Sequence, residues 1–218
     1  MSIYVMGNSV CFNPGGVSYY DNLVHDYGGR AILKAWHAHT AWQFETLCST
    51  INISSEDYFV INYGIVEAFT RTPEIFLTMC TTRMVDPNWA LEDYSPRLVE
   101  KMKKAELSEK EGSALSYFSI LDLDEFSSRM DAGLRRLLVR ANPNRCIVLG
   151  LNNPADDKVH RIISAAEYDK VLLDLSVKYS THFIDCYNIF GSTYLYDGIH
   201  FNEEGHKKIT YLLEGVIQ

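Results

Sequence analysis

Ser9 near the amino terminus and the pair Asp197 and His200 near the carboxyl terminus are the residues of this sequence whose types and spacing could do chemistry together. A serine hydroxyl is a weak nucleophile until an imidazole takes its proton. The imidazole in turn needs a carboxylate to fix its tautomer and stabilise its charged form. Gly7-Asn8-Ser9-Val10 follows an apolar run that starts at Ile3, which sets Ser9 on the turn after a first strand. Asp197-Gly198-Ile199-His200 stands just before a last helical stretch. Cys11 is a second nucleophile type nearby, in a weaker context than Ser9.

Those residues need a scaffold that brings the two ends of the chain together. Candidate strands are Ile3–Met6, Ala31–Ala35, Tyr58–Asn62, Arg145–Leu149 and His182–Asp185, all short apolar or β-branched runs. Helical patterns lie between them at Ser18–Asp26, Ala41–Thr50, Glu125–Arg140 and Ala165–Tyr179. A last helix, Glu203–Gly215, carries Ile209, Leu212, Leu213 and Val216 at helical spacing behind Asn202 as its N-cap. Repeated β-α alternation predicts an α/β protein, a doubly wound parallel sheet with helices on both faces. Ligands of such sheets bind outside the carboxyl ends of the strands. Ser9, the His37–His39 turn, Gly64–Glu67 and Asn152–Asn153 each follow a predicted strand, so they should gather on one rim. The loop of Asp197 and His200 can return to join them, with Tyr194 and Tyr196 as a pocket wall.

Residues 69–118 break this rhythm with three of the six prolines (Pro73, Pro87 and Pro96) and a charged run from Glu100 to Glu111. The run reads as a solvated helix with opposite charges about a turn apart. A helical insertion lying on one domain that spans residues 1–218 is the expected organisation.

Composition excludes some classes of function. Of 218 residues, 47% are hydrophobic and 22% charged, with 28 acidic against 20 basic for a net charge of −8. That balance provides no basic surface for nucleic acid or an anionic membrane. No stretch approaches the roughly 20 apolar residues of a membrane span, and Met1-Ser2 leads into Ile3 without a basic leader segment. Five scattered cysteines without CxxC spacing read as reduced thiols of a cytoplasmic protein. His37 and His39 lack the partners of a metal site, and the Gly7–Gly16 turn lacks a P-loop lysine or GxGxxG, so neither a metal nor a cofactor is expected.

With these motifs in hand, the chain resembles the SGNH (GDSL) hydrolase superfamily. Gly7-Asn8-Ser9 resembles its Gly-Asp-Ser turn, with Asn8 where aspartate is usual, and Asp197-x-x-His200 matches its final block. The resemblance implies a flavodoxin-like three-layer α/β/α fold built on the five strands. It makes Ser9 the nucleophile, His200 the general base and Asp197 its orienting carboxylate. The middle blocks depart from the pattern. Gly64-Ile65-Val66-Glu67 puts valine where the family has an asparagine that donates to the oxyanion, and Trp36-His37-Ala38-His39-Thr40 lacks the usual glycine. Backbone N–H groups of Ala38 or His39, or the amides of Asn62, Asn152 or Asn153, are the candidate replacements. Gly64 through Arg71 is similar to a Gly-Ile-Val-Asp/Glu variant block followed by arginine, seen in members tied to bacterial glycan and secondary-metabolite biosynthesis. Segments like Asn152-Asn153-Pro154 recur there too. Glu67 and Arg71, spaced i, i+4, are an ion pair or substrate contacts. The function this implies is an esterase or deacylase acting on a small-molecule acyl ester, a short acyl group on a sugar or metabolite. An acyltransferase using the same triad and a small-molecule binder that has lost turnover are the alternatives. Oligomeric state is not encoded in any motif.

Overall fold

Short apolar runs separated by capped helices organise the chain around a parallel sheet. The computed structural model describes residues 1–13, 16–36, 39–71, 98, 100–101, 103–105, 118–153, 161–162 and 165–217. In chain order its elements begin with β1 (Ile3–Gly7), α1 (Tyr19–Asp26), β2 (Ala31–Ala35), α2 (Ala41–Thr50) and β3 (Tyr58–Asn62). They continue with β4 (Phe69–Arg71), β5 (Phe118–Ser119), α3 (Leu123–Leu138), β6 (Cys146–Leu149) and β7 (Arg161–Ile162). The last are α4 (Ala165–Tyr179), β8 (His182–Ile184), α5 (Cys186–Ile189) and α6 (Glu203–Glu214).

The main sheet has five parallel strands in the order β2-β1-β3-β6-β8. Every residue of β3 and β6 is buried, which is why Tyr58-Phe-Val-Ile-Asn62 and Cys146-Ile-Val-Leu149 read as continuous apolar runs and not as alternating ones. Each fully buried valine, isoleucine or phenylalanine here contributes about 1.5–3 kcal/mol relative to exposure. Strand order reverses between β1 and β3, so the crevice of the fold opens at the end of β1. Right-handed crossovers put α1 on one face and α2, α3 and α4 on the other, and α6 packs beside α1. Glu45 on α2 pairs with Arg129 (2.7 Å) and Arg136 (2.9 Å) on α3.

The helices start where their caps dictate. Ser18 and Asp21 form a capping box at α1, as do Thr40 and Gln43 at α2. Asp122 accepts from Glu125 N–H (3.0 Å) and starts α3 at Leu123, two residues earlier than the apolar pattern suggests. Arg145 closes a 3-10 turn, so β6 begins at Cys146.

The expected helical insertion differs at both ends. Its first residues form β4 and its last form β5, and β4 pairs antiparallel with both β5 and β7 in a small sheet of order β5-β4-β7. Strands of two or three residues are too short to carry a period, and their partners lie far along the chain. Helical backbone is present at 98, 100–101 and 103–105, where Lys104 pairs with Glu100 at i, i+4 (2.8 Å). Glu106, Glu109 and Glu111, the other half of the charged run, lie outside the described residues. No helix among the described residues is long and apolar enough to cross a membrane.

Candidate active site

Ser9 opens a one-turn 3-10 helix directly after β1. Asn8 makes that turn: its Oδ1 accepts from Val10 N–H (3.2 Å) and its carbonyl from Cys11 N–H (3.1 Å). Asn8 is fully buried, and an amide caps the turn without placing a second carboxylate in the interior. Gly7 is required by close packing. A Cβ there would lie 2.6 Å from both the Asn62 carbonyl oxygen on β3 and Cys11 Sγ. As the first residue of its turn, Ser9 keeps an N–H without an acceptor inside the turn.

The Asp197–His200 segment is a self-closed loop. Leu195 and Phe201 bridge at its base, and Tyr196 N–H donates to the His200 carbonyl (3.1 Å). Asp197 Oδ1 accepts from Ile199 N–H (2.9 Å) and His200 N–H (2.7 Å). Gly198, between them, has φ of 84°, a left-handed conformation that costs a side chain strain. Asn202 accepts from Gly205 N–H (3.0 Å) and starts α6, leaving Asp197 for another role.

That role is visible in the side chains. Asp197 Oδ2 lies 2.6 Å from His200 Nδ1, and His200 Nε2 lies 2.9 Å from Ser9 Oγ. An ionised carboxylate only accepts, so Nδ1 carries the proton and Nε2 accepts from the serine hydroxyl. Burial raises the Asp197 carboxyl, but the N–H groups of His200 and Ile199 and the His200 ring outweigh it and hold the group below its ordinary value. The Tyr196 ring stacks on the His200 imidazole at 5.6 Å between centroids and 21° between planes. Burial and the Asp197 carboxylate raise the Tyr196 phenol above its usual value, so it stays protonated. Oriented carboxylate, imidazole and hydroxyl in series are the parts of nucleophilic acyl transfer.

The other predicted residues have different surroundings. His39 is buried and its N–H donates to the Trp36 carbonyl (3.2 Å), so it closes a turn. His37 and Ala38 lie outside the described residues. Glu67 is fully buried and accepts from Ala41 N–H (2.6 Å), the first residue of α2, making it a helix cap and not a residue of an open rim. Arg71 has its backbone in β4, and its side chain lies outside the description. Gly64 turns the chain after β3, its carbonyl accepting from Ala68 N–H (2.9 Å), and Val66 beside it is buried. The Asn62 amide donates to Tyr19 Oη (3.4 Å) in the interior. Asn152 follows β6, and its amide donates to the Ile199 carbonyl; Asn153 beside it is exposed. Both Asn62 and Asn152 therefore have their amides engaged within the protein, against the expectation that either would be held ready for an oxyanion. Cys11 is buried under Tyr19 Oη (3.0 Å), and burial pushes its thiol up to about 12, which keeps it protonated. Pattern reading missed the Asn152 contact, the Asn8 cap and the buried His206, which stands on the apolar stripe of α6 with Ile209 and Leu213.

No protein-family model matches the sequence, and no curated protein is significantly similar to it. Solved structures are. An acetylxylan esterase from Geobacillus stearothermophilus superposes with a TM-score of 0.62 at 12% identity, over 99% of this chain and 93% of that one. A lipase/acylhydrolase from Enterococcus faecalis matches at 0.59 and 15% identity, over 97% and 92%. The acetyl xylan esterase AlAXEase matches at 0.59 and 11% identity over the full length of both chains. Likeness at these identities is likeness of fold, and this chain shares the α/β fold of these esterases and acylhydrolases.

Proposed function

We propose that this chain is a serine esterase or deacylase that removes a short acyl group from a sugar or small metabolite through an acyl-Ser9 intermediate. The observation that carries this reading is the continuous hydrogen-bond relay from Asp197 through His200 to Ser9. Ser9 Oγ attacks the acyl carbonyl while His200 Nε2 takes its proton, and Asp197 stabilises the imidazolium. Collapse of the tetrahedral adduct breaks the ester C–O bond, and His200 returns the proton to the departing alcohol. Water then repeats the sequence on the acyl-serine and releases the acid. An acceptor alcohol or amine in place of water makes the same intermediate an acyltransferase. Esterases of acetylated xylan with this fold support a sugar ester as the substrate class.

A second reading, binding without turnover, has its own observation. The Val66 side chain carries no amide, and the N–H groups of His39, Thr40 and Ala41 all have acceptors within the protein. Loss of one oxyanion donor costs about 2.7–4 kcal/mol, or 10²–10³ in rate, so the Ser9 N–H and one further donor would still support measurable catalysis. Hydrolysis of p-nitrophenyl acetate and of acetylated xylo-oligosaccharides separates the readings. Turnover that disappears in Ser9→Ala is expected; turnover undiminished in that variant, or absent from the folded wild type, sinks the esterase.

A further inference from the structure

We propose that Asn152 is a positioning residue for His200, acting through the Ile199 carbonyl; this rests on the esterase reading of the same site. The peptide between Ile199 and His200 is pinned at both ends. Its N–H donates to Asp197 Oδ1 (2.7 Å) and its carbonyl accepts from Asn152 Nδ2. Fixing that plane fixes the direction in which the His200 side chain leaves the backbone, and with it the reach of Nε2 to Ser9.

The two pins differ in kind. The Asp197 bonds and the Leu195–Phe201 bridge are internal to the loop and travel with it. Asn152 sits at the rim of the sheet: it is 2% exposed and follows β6 by a short step. The backbone leading to it is anchored on two sides, because Leu151 N–H donates to the Asp169 carboxylate on α4 (2.8 Å) and Gly150 N–H to the Ile184 carbonyl on β8 (2.9 Å). The amide therefore ties to the rim of the sheet a loop whose Tyr196, Ile199 and His200 N–H groups all bond within the loop. Catalytic side chains supported in this way lose rate before they lose binding when the support is removed, since misplacement weakens the transition state more than substrate affinity.

The test measures kcat and KM for p-nitrophenyl acetate in wild type, Asn152→Ala and Asn152→Asp, with Ser9→Ala as the control for the underlying reaction. Asn152→Ala is expected to lower kcat on the order of 10-fold to 10²-fold, with KM changed by no more than about twofold. Asn152→Asp adds a readout that a merely structural role would not move. Its ionised carboxylate faces a carbonyl oxygen and cannot donate, whereas its protonated form can, and burial favours the protonated form. The ratio of its kcat to that of wild type should rise as pH falls.

Wild-type kcat in folded Asn152→Ala, or a raised KM with kcat intact, overturns the proposal while leaving the esterase standing. Should the alanine variant fail to fold, a pH-independent ratio for Asn152→Asp overturns it equally. Absence of Ser9-dependent turnover in the wild type removes the esterase reading first, and the positioning role falls with it.

Discussion

Asp197 makes three hydrogen bonds with two oxygens: Oδ1 holds the backbone of its own loop and Oδ2 orients the imidazole. Asp197→Asn keeps the shape but can donate toward Nδ1, which turns the histidine to the wrong tautomer. Its kcat should fall on the order of 10³–10⁴-fold with KM little changed, measured by steady-state hydrolysis. Gly7 is a second residue-scale case. Gly7→Ala must displace both the β3 backbone at Asn62 and the Cys11 thiol, and overpacking of this kind costs about 1–3 kcal/mol. Because Ser9 lies two residues on, thermal unfolding and kcat should both report the change. The residue types of the relay are legible in the sequence because nucleophilic catalysis restricts which side chains can serve and in which order of motifs. Asn152 and Glu67 were legible only as polar residues after strands. What each amide or carboxylate touches depends on the Ile199 and Ala41 backbone, brought near by folding and not by spacing.

At the scale of elements, the five parallel strands and the helices between them are legible almost to the residue, because buried strands must be continuous apolar runs and caps leave polar signatures. The β4, β5 and β7 sheet was not, since its strands are shorter than any period. One helix-to-strand contact has a testable electrostatic consequence. Asp169 on α4 accepts from Leu151 N–H, yet burial, helped by the Asp185 charge, pushes its carboxyl up to about 6. A carboxyl raised in the folded state holds its proton longer there than in the unfolded chain. The native state therefore gains relative stability as pH falls through about 6 toward the ordinary carboxylate value, and loses it as pH rises. Asn at this position keeps an acceptor for Leu151 and cannot ionise. Asp169→Asn should raise the urea midpoint relative to wild type at about pH 7, with the gain vanishing near about pH 4. An equal midpoint at both pH values would contradict this assignment of the buried charge.

For the whole molecule, the fold closes its two ends on each other. His206 on α6 accepts through Nδ1 from Tyr19 N–H (3.2 Å) on α1, Asn22 Nδ2 donates to Thr210 (3.0 Å), and Ser9 meets His200 on the same side of the sheet's order reversal. Burial lowers His206 to about 4, against the opposing pull of the Phe12 carbonyl and Asp21. A histidine depressed in the folded state supports stability above its ordinary value and withdraws that support as pH falls toward about 4. Asp169 works in the opposite direction over an overlapping range. The two slopes offset one another in wild type, so each single variant should expose the other's. Asp169→Asn should lose stability as pH falls from about 6 to 4, and His206→Gln should gain it, read from denaturant midpoints across that range. Parallel profiles for the two variants would contradict the opposition. The relay that this closure assembles is the centre of the account, and covalent capture tests it most directly. A fluorophosphonate probe reacts with a serine only where a base has activated it. Mass mapping of the adduct should find it on Ser9, absent in Ser9→Ala and slowed in His200→Ala. An adduct on Cys11, or none on the folded protein, would contradict the assignment of Ser9, His200 and Asp197 as a working triad.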